Sequence, residues 1–119
     1  MTDDPRSGAQ EHLPLTPVAF EILLSLAGEE RHGYAILRAV SERASGGVRL
    51  HAGTLYRALA RLVETGLIAE LDARPEPGTD ERRRYYRLTA LGRRVAIAEA
   101  RRLEGQVGAA RAFGLLGTG

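Results

Sequence analysis

Apolar residues recur at helical spacing in four stretches of the chain, and these stretches carry recognisable start or stop signals. Thr16 precedes Pro17 at the first stretch. Threonine caps helix starts, and proline is tolerated at the first helical position. Glycines follow the second and third stretches, at Ser45-Gly46-Gly47 and Gly66. The predicted helices span about residues 16–27, 33–44, 52–65 and 89–110.

Between the third and fourth helices, two strand-like runs flank a short loop. The runs are Leu67–Asp72 and Arg82–Leu88, and the loop at residues 74–80 contains two prolines and a glycine. This pattern favours the tip of a β-hairpin. A shorter extended stretch, Val48–Leu50, predicts one further strand. The fold class is therefore mainly α with a small β-hairpin, in the order of a winged helix-turn-helix followed by one more helix.

The size and composition of the chain narrow its class. Its 119 residues, 44% of them hydrophobic, fit one domain with a modest core. The absence of cysteine excludes disulfides and thiolate metal sites. No stretch approaches the roughly 20 apolar residues that cross a membrane. We expect a soluble protein of the cytoplasm that makes no membrane contact.

Catalytic chemistry has no visible support in the sequence. The three histidines, His12, His32 and His51, do not have the spacing of metal ligands. There is no glycine-rich phosphate loop and no nucleophile placed beside a base. We predict a protein that is not an enzyme and that carries neither a metal nor a cofactor.

The charge of the chain is unevenly distributed. The net charge is only +2, yet all 17 basic residues are arginines. Residues 49–61 contain three arginines and no acidic residue, and residues 74–102 contain nine arginines and four acidic residues. Two concentrated basic segments are typical of a polyanion binder. Solvated surface arginines are the alternative interpretation.

The third predicted helix has one apolar face and one basic face. Leu55, Leu59 and Leu62 follow one another at the spacing of a buried stripe. The residues opposite them are Gly53, Thr54, Arg57 and Arg61. A small residue, a hydroxyl and two guanidiniums suit readout of a DNA major groove, whereas an ordinary solvated face usually includes glutamate.

Two aromatic residues flank this basic face. Tyr56 lies at its border, where its hydroxyl can reach a phosphate or its ring can be half-buried core. His51 stands just before the helix, where it can cap the helix or touch a DNA backbone.

Three consecutive arginines begin the second strand of the predicted hairpin. Because side chains alternate across a strand, Arg82 and Arg84 are predicted on one face and Arg83 on the other. Such a ribbon can grip phosphates or enter a minor groove, with plain solvation as the alternative. Tyr85 and Tyr86 follow, and at least one of them should pack inward. The candidate DNA-binding residues are His51, Gly53, Thr54, Tyr56, Arg57, Arg61, Arg82, Arg83 and Arg84.

The last predicted helix carries two apolar stripes on different sides. One contains Leu91, Val95 and Ala98, and the other contains Ala96, Ala100, Leu103, Val107 and Ala110. One stripe can cover its own domain while the other meets a second copy of the chain. A single broad face within one subunit is the alternative. The candidate dimer-interface residues are Leu91, Val95, Ala96, Ala100, Leu103, Val107 and Ala110.

Several short motifs resemble those of the PadR family of transcriptional regulators. They are His32-Gly33-Tyr34, Gly53-Thr54-Leu55-Tyr56-Arg57-Ala58-Leu59, Arg61-Leu62, Gly66-Leu67-Ile68 and Arg82-Arg83-Arg84-Tyr85-Tyr86-Arg87-Leu88-Thr89. The resemblance covers about residues 15–100 and implies a homodimeric winged-helix repressor, with the third helix in the major groove and the hairpin as its wing. His51-Ala52 departs from the family, which often has Ser-Pro or a similar pair before the Gly-Thr.

The resemblance also implies a division of the chain. About thirty residues follow Thr89, as in the shorter PadR subfamily in which the last helix makes the dimer. Residues 1–13 are polar and include Pro5 and Gly8, so this composition predicts a disordered tail. We expect a winged helix-turn-helix DNA-binding domain at 14–88, a dimerisation helix at 89–112 and a tail at 113–119.

The expected partners are double-stranded DNA with a palindromic operator, a second copy of the chain and a small effector. Related short regulators bind flat aromatic or drug-like molecules between subunits. Here such a molecule would lie between Leu15 or Val18 and the last helix, and it would release the repressor from DNA. The alternative function is a winged-helix protein–protein interaction module without sequence-specific DNA binding.

Overall fold

The four predicted helices form close to their predicted bounds, and an additional short helix precedes them. The computed structural model describes residues 5–43, 50–75 and 82–117. Its helices are α1 Pro5–Gln10, α2 Pro17–Ser25, α3 Gly33–Arg43, α4 Ala52–Glu64 and α5 Ala90–Ala112. Its strands are β1 Arg31–His32, β2 Ile68–Glu70, β3 Arg74–Pro75, β4 Arg82–Arg83 and β5 Tyr85–Leu88.

Side-chain caps and a left-handed glycine fix the helix ends. The Thr16 hydroxyl accepts a hydrogen bond from the Ala19 amide at 3.1 Å, and Thr89 caps α5 in the same way. After α4, Gly66 has a φ of +82°, the Gly66 amide donates to Val63 and the Leu67 amide donates to Leu62. This is a Schellman motif, which ends the helix and turns the chain directly into β2.

Within the described residues, the hairpin is part of a three-stranded antiparallel sheet. β5 lies in the centre, with Ile68 of β2 opposite Leu88 and Arg31 of β1 opposite Tyr86. β3 and β4 pair further out along the same hairpin. The hairpin tip at residues 76–81 lies outside the described residues.

The third strand of the described sheet, Arg31–His32, was not predicted from the sequence. Residues 48 and 49 of the predicted strand Val48–Leu50 lie outside the described residues, and Leu50 has no strand pairing. The edge of β5 is instead paired with Arg31–His32, which extends for two residues before α3 begins. A strand this short carries no alternating pattern, so only its partner reveals it.

The core lies where α2, α3 and α4 meet β2, β5 and α5. Leu55, Leu59 and Leu62, the predicted stripe of α4, are all buried. In the described part of the chain, the other buried apolar side chains are Ala9, Ile22, Leu23, Leu26, Ile36, Val40, Leu67, Ile68, Tyr86 and Val95. The core thus orients α4 with its basic face outward.

The predicted disordered tail is wrong for residues 5–10. They form α1, which packs against α5, and Ala9 is only 3% exposed. The prediction rested on polar composition, whereas the order of this segment comes from tertiary contact with a helix far away in the sequence. Residues 1–4 lie outside the described residues.

Candidate nucleic-acid interface

The basic face of α4 points away from the core. Gly53, Arg57 and Arg61 are exposed and Thr54 is half-buried. Gly53 and Arg57 lie opposite the buried leucine stripe, and Thr54 and Arg61 lie toward one side of this face. The Arg57 guanidinium donates to the Thr54 hydroxyl over 3.4 Å, a long and therefore weak bond that leaves its other donors available. His51 is exposed at the N-cap position and makes no side-chain capping bond.

Among the residues that the structure describes, none requires glycine at position 53. A Cβ atom there would meet only the Arg57 guanidinium, at an ordinary contact distance of 3.5 Å. Gly53 does not have a positive φ. A glycine in a helix is less stable than alanine by up to about 1 kcal/mol. An external surface approaching the backbone would explain its presence.

Tyr56 is at the border of this face, where the sequence placed it. Its ring lies over the start of α3, because a Cβ atom on Gly33 would stand 3.1 Å from the Tyr56 ring. The side chain nevertheless remains 54% exposed. The ring thus packs on the domain while the residue stays exposed, and contact between its hydroxyl and a phosphate stays a prediction.

Arg61 lies toward one side of the basic face. Its side chain lines a groove of about 350 Å³ together with Glu11, His12 and Thr65. Arg57 is therefore nearer the centre of the outward face than Arg61.

The wing arginines contact different neighbours. Arg84 is exposed and forms an ion pair with Glu70 of β2, with 3.0 Å between the guanidinium and carboxylate atoms. Arg83 is half-buried and its guanidinium lies 5.6 Å from the centre of the Tyr34 ring. The Arg82 side chain lies outside the described part of the structure, so its role in DNA binding stays a prediction.

The strand behind these arginines is anchored in the core. Tyr86 is buried, as the sequence predicted for one of the two tyrosines. Burial, and secondarily the nearby Glu70 carboxylate, raises the pKa of the Tyr86 phenol. The phenol therefore stays neutral, and β5 provides a fixed base for the hairpin.

Tyr34 and Arg38 belong to the same surface, and the sequence analysis did not assign them to it. Tyr34 is 50% exposed, and the Arg38 guanidinium lies 6.0 Å from its ring centre. The signal that could have found them is a tyrosine at the second position of α3 with an arginine one turn later. Only the fold shows that the hairpin brings Arg83 to the same ring.

The residues predicted for a dimer interface divide between the two sides of α5. Val95 is fully buried in the core of its own chain, so its inclusion in an interface is wrong. Leu91 is half-buried and packs against the same core. Of the others, Ala96, Leu103 and Ala110 are half-buried, and Ala100 and Val107 are exposed. Regular apolar spacing cannot tell which stripe faces the chain's own core.

α5 also carries a buried carboxylate that sequence reasoning missed. Glu99 is 1% exposed and accepts a hydrogen bond from the Leu15 amide at 3.0 Å and others from Arg102. The Arg102 guanidinium lowers the pKa of Glu99, against the opposing effect of burial. This contact fixes the segment between α1 and α2 to α5.

Two hollows lie near the residues predicted to bind an effector. Leu15 is half-buried and lines the groove beside Arg61, while Val18 is half-buried against the core. A larger cleft, of about 640 Å³, lies between parts of α1 and α5, and neither Leu15 nor Val18 lines it. Its walls include Ala9, Leu13, Ile97, Arg94, Arg101 and Arg102.

Two kinds of feature are absent from residues 5–43, 50–75 and 82–117. No group of three His, Cys, Asp or Glu side chains there could hold a metal ion. None of the helices in this part of the chain combines the length and the hydrophobicity that crossing a membrane requires.

Comparisons with known proteins point to one family. Residues 22–98 match the transcriptional regulator PadR-like family. A PadR family transcription regulator from hypervirulent Clostridium difficile is 26% identical with a TM-score of 0.72, covering 82% of this chain and 98% of that one. A transcriptional regulator from Clostridium thermocellum is 27% identical with a TM-score of 0.67, covering 82% and 89%.

A DNA complex is among the similar folds. Bacillus subtilis PadR, solved in complex with operator DNA, is 23% identical with a TM-score of 0.62, over 70% of this chain and 46% of that one. At this identity the likeness concerns the fold. No curated protein sequence matches the chain significantly.

Proposed function

The chain belongs to the PadR-like family of transcriptional regulators, and we propose that it acts as a homodimeric repressor that binds a palindromic operator in duplex DNA. The observation that carries this proposal is the outward face of α4. It presents Gly53, Thr54 and Arg57 to solvent while the opposite face is held by the core. A helix held in this way can enter a major groove without rearrangement of the domain.

Each residue of this face has a role that its chemistry suits. Arg57 can form two parallel hydrogen bonds with the O6 and N7 atoms of a guanine. Gly53 allows the helix backbone to come close to the edge of the groove, and Thr54 can donate to a phosphate or a base. His51, Tyr56 and Arg61 lie around this centre, where contacts to the DNA backbone are expected.

The wing supplies positive charge beside the groove. Arg83 and Arg84 are both held near the base of the hairpin, and Arg82 precedes them in the sequence. On DNA binding, the Arg84 guanidinium would either leave Glu70 for a phosphate or bind both anions. Contacts of this kind depend on salt rather than on sequence, because they release counterions from the DNA.

The dimer would form through the second stripe of α5. Val95 is buried and Leu91 packs against the chain's own core, so the proposed interface leaves both out. The remaining residues, Ala96, Ala100, Leu103, Val107 and Ala110, form a continuous strip on one side of the helix. Small side chains allow two helices to approach closely, and a two-fold pair of α5 helices would place two α4 helices on successive major grooves. DNA binding would place the protein in the cytoplasm.

A small hydrophobic effector would act from the region around α5. The hollows beside Leu15 and between α1 and α5 both adjoin elements that a dimer would hold at a fixed spacing. A molecule that changed this spacing would shift the protein away from its DNA-binding form.

Fluorescence anisotropy with a labelled duplex, carrying the sequence upstream of the gene that encodes the chain, tests the DNA-binding proposal. We expect Arg57→Ala to weaken binding by about tenfold or more, which corresponds to the loss of a base contact of about 1–3 kcal/mol. The matched control is Arg111→Ala, an exposed arginine in the last turn of α5, which should bind as the wild type does. Wild-type affinity that is absent, or that stays flat as salt is raised, would favour the protein-interaction alternative.

Gly53→Ala tests whether DNA comes close to the backbone of α4, and it does so without impairing folding. The new methyl group meets only Arg57 inside the chain, so we expect equal or slightly greater stability to urea. Binding to the same duplex should fall, because the methyl group occupies the space between the helix and the groove. Unchanged binding would show that this part of α4 does not face the DNA.

A further inference from the structure

The junction between α3 and the hairpin contains a tyrosine flanked by two arginines. The Tyr34 ring is half exposed, with the Arg83 guanidinium 5.6 Å from its centre and the Arg38 guanidinium 6.0 Å away. A guanidinium within about 6 Å of an aromatic ring centre is attracted to the negative face of the ring. Tyr34 and Arg38 come from one helix, whereas Arg83 comes from the hairpin.

This junction is built on a fixed frame. β1, which ends two residues before Tyr34, pairs with β5, immediately after the wing arginines, and places His32 opposite Tyr85. The His32 and Tyr85 rings meet edge to face at 5.5 Å. The His32 Nδ1 atom also accepts a hydrogen bond from the Ala35 amide at 3.1 Å, which holds the first turn of α3. The ring of Tyr34 therefore has a defined position relative to the wing.

The same frame joins this junction to the reading helix. Tyr56 of α4 packs on Gly33, the residue directly before Tyr34. The two exposed tyrosines thus adjoin one turn of backbone, which links the junction to the border of the basic face of α4. A duplex lying on α4 would pass close to both.

Two positive charges next to one exposed ring add little to folding. Cation–π contacts at exposed sites are weak, and two guanidiniums that share a ring repel each other. Glu42 offsets Arg38 only over 3.9 Å, between two exposed side chains. A planar guanidinium can donate charge-assisted hydrogen bonds to a phosphate, so a DNA phosphate is an anion that arginines at this junction can bind.

We propose that Tyr34 is a positioning residue for DNA binding, whose ring holds the Arg83 guanidinium in place to meet a phosphate of the duplex beside the α4 reading face. This inference rests on the proposed function. An arginine side chain loses much rotamer freedom when it binds a phosphate, and a ring that already restrains it reduces that loss. Removing the ring should therefore weaken binding without removing any charge.

The test compares Tyr34→Leu with Tyr34→Phe on the labelled upstream duplex and on a labelled duplex of scrambled sequence. Tyr34→Leu should weaken binding to both by about threefold to fivefold, the size of an exposed cation–π contact. Tyr34→Phe keeps the ring and should stay within about twofold of wild type. Equal losses in both variants would assign the effect to the hydroxyl group and overturn the proposal, as would no loss in Tyr34→Leu.

A double-mutant cycle gives a readout that a general structural defect would not produce. Tyr34→Leu and Arg83→Ala should be less than additive in their effects on binding, because each removes the same positioned contact. Tyr34→Leu and Arg57→Ala should be additive, because Arg57 lies on α4 and would make a separate contact with the DNA. Arg83→Ala should reduce the slope of log affinity against log salt by about one, whereas Tyr34→Leu keeps the charge and most of that slope. Additivity in the first cycle would overturn the proposal.

Folding and the proposed function are separated by two further measurements. Arg83→Lys keeps the charge and loses the planar guanidinium, so it should lose affinity to the same extent as Tyr34→Leu, and unfolding in urea should be unchanged for all these variants. An Arg83→Lys variant that binds DNA as tightly as the wild type would overturn the inference. A wild-type protein that binds neither duplex would refute the proposed function itself. If the wild type binds and Tyr34→Leu binds equally well, only this inference is refuted.

Discussion

The two halves of α5 differ in what surrounds them. Residues 90–102 include the buried Gly92, Val95 and Glu99, so this half is fixed by contacts with its own chain. Residues 103–112 contain no buried side chain, and the turn that follows exposes Phe113 and its apolar neighbours. One continuous helix therefore serves two purposes. Its first half sets the position of the helix on the domain, and its second half presents apolar surface that a single chain leaves uncovered.

Glycine substitutions should reveal this difference most strongly. A Cβ atom on Gly92 would stand 1.9 Å from the backbone oxygen of Leu67, and a backbone atom cannot move aside cheaply. We expect Gly92→Ala to lower the free energy of unfolding by about 3 kcal/mol or more, as measured by urea denaturation.

The matched control lies in the other half of the same helix. A Cβ atom on Gly108 meets nothing within 4 Å, so Gly108→Ala should raise the free energy of unfolding by up to about 1 kcal/mol. Destabilisation by both substitutions would mean that the second half is also closely packed in solution.

Glu99 provides the next largest expected effect. Glu99→Gln keeps the shape of the side chain and removes the charge that Arg102 and the Leu15 amide satisfy. We expect a loss of about 1–3 kcal/mol in the free energy of unfolding at neutral pH. Glu104→Gln, on an exposed position of the second half, is the control and should change it by less than about 0.5 kcal/mol.

The contribution of Glu99 should also depend on pH. The Arg102 guanidinium holds the pKa of Glu99 below its ordinary value of 4.5, so the folded state favours the charged form. The stabilisation is complete above the ordinary value and is lost as the pH falls through the lowered one. The difference between wild type and Glu99→Gln should therefore shrink in acid. A difference that stays constant down to pH 3 would contradict this reasoning.

The smallest effect on the single chain, and the most informative for assembly, is expected at Val107. Val107→Asp should leave monomer folding unchanged and raise the dimer dissociation constant by at least about tenfold, which is about 1.4 kcal/mol. Ala109→Asp is the control, because residues two positions apart point about 200° apart on a helix. Sedimentation equilibrium measures both. Equal effects of the two substitutions on the dissociation constant would show that the interface does not lie on the Val107 side of α5. A wild-type protein that is monomeric at micromolar concentration would refute the dimer.

The sequence predicted those elements whose pattern is local and long. Along the thirteen residues of α4, leucines recur at the spacing of one buried face and basic residues lie on the other face. Gly66 ends the helix, as predicted. The hairpin was predictable because its prolines, glycine and alternating strands act within about twenty residues of chain. These features fix the order of helices and hairpin, and they place Arg57 on the outward surface.

Elements that depend on distant contacts were not predictable. α1 has six residues and is ordered by α5, and β1 has two residues and is ordered by β5. Val95 belongs to an apolar stripe, but the spacing alone could not decide between its own core and a partner. The grouping of Tyr34 with Arg83 required the hairpin to fold back onto α3. In each case the missing information is the identity of the neighbour.

The hydrogen bond between Leu15 and Glu99 has a consequence for how the protein is made. It joins residues that are 84 positions apart in the sequence. On a ribosome, the segment around Leu15 emerges long before Glu99 is synthesised, and α1 has no helix to pack against during that interval. Closing so long a loop carries an entropic cost that only the completed contacts offset. The three central helices and the hairpin can assemble first, and the N-terminal segment joins them when α5 arrives.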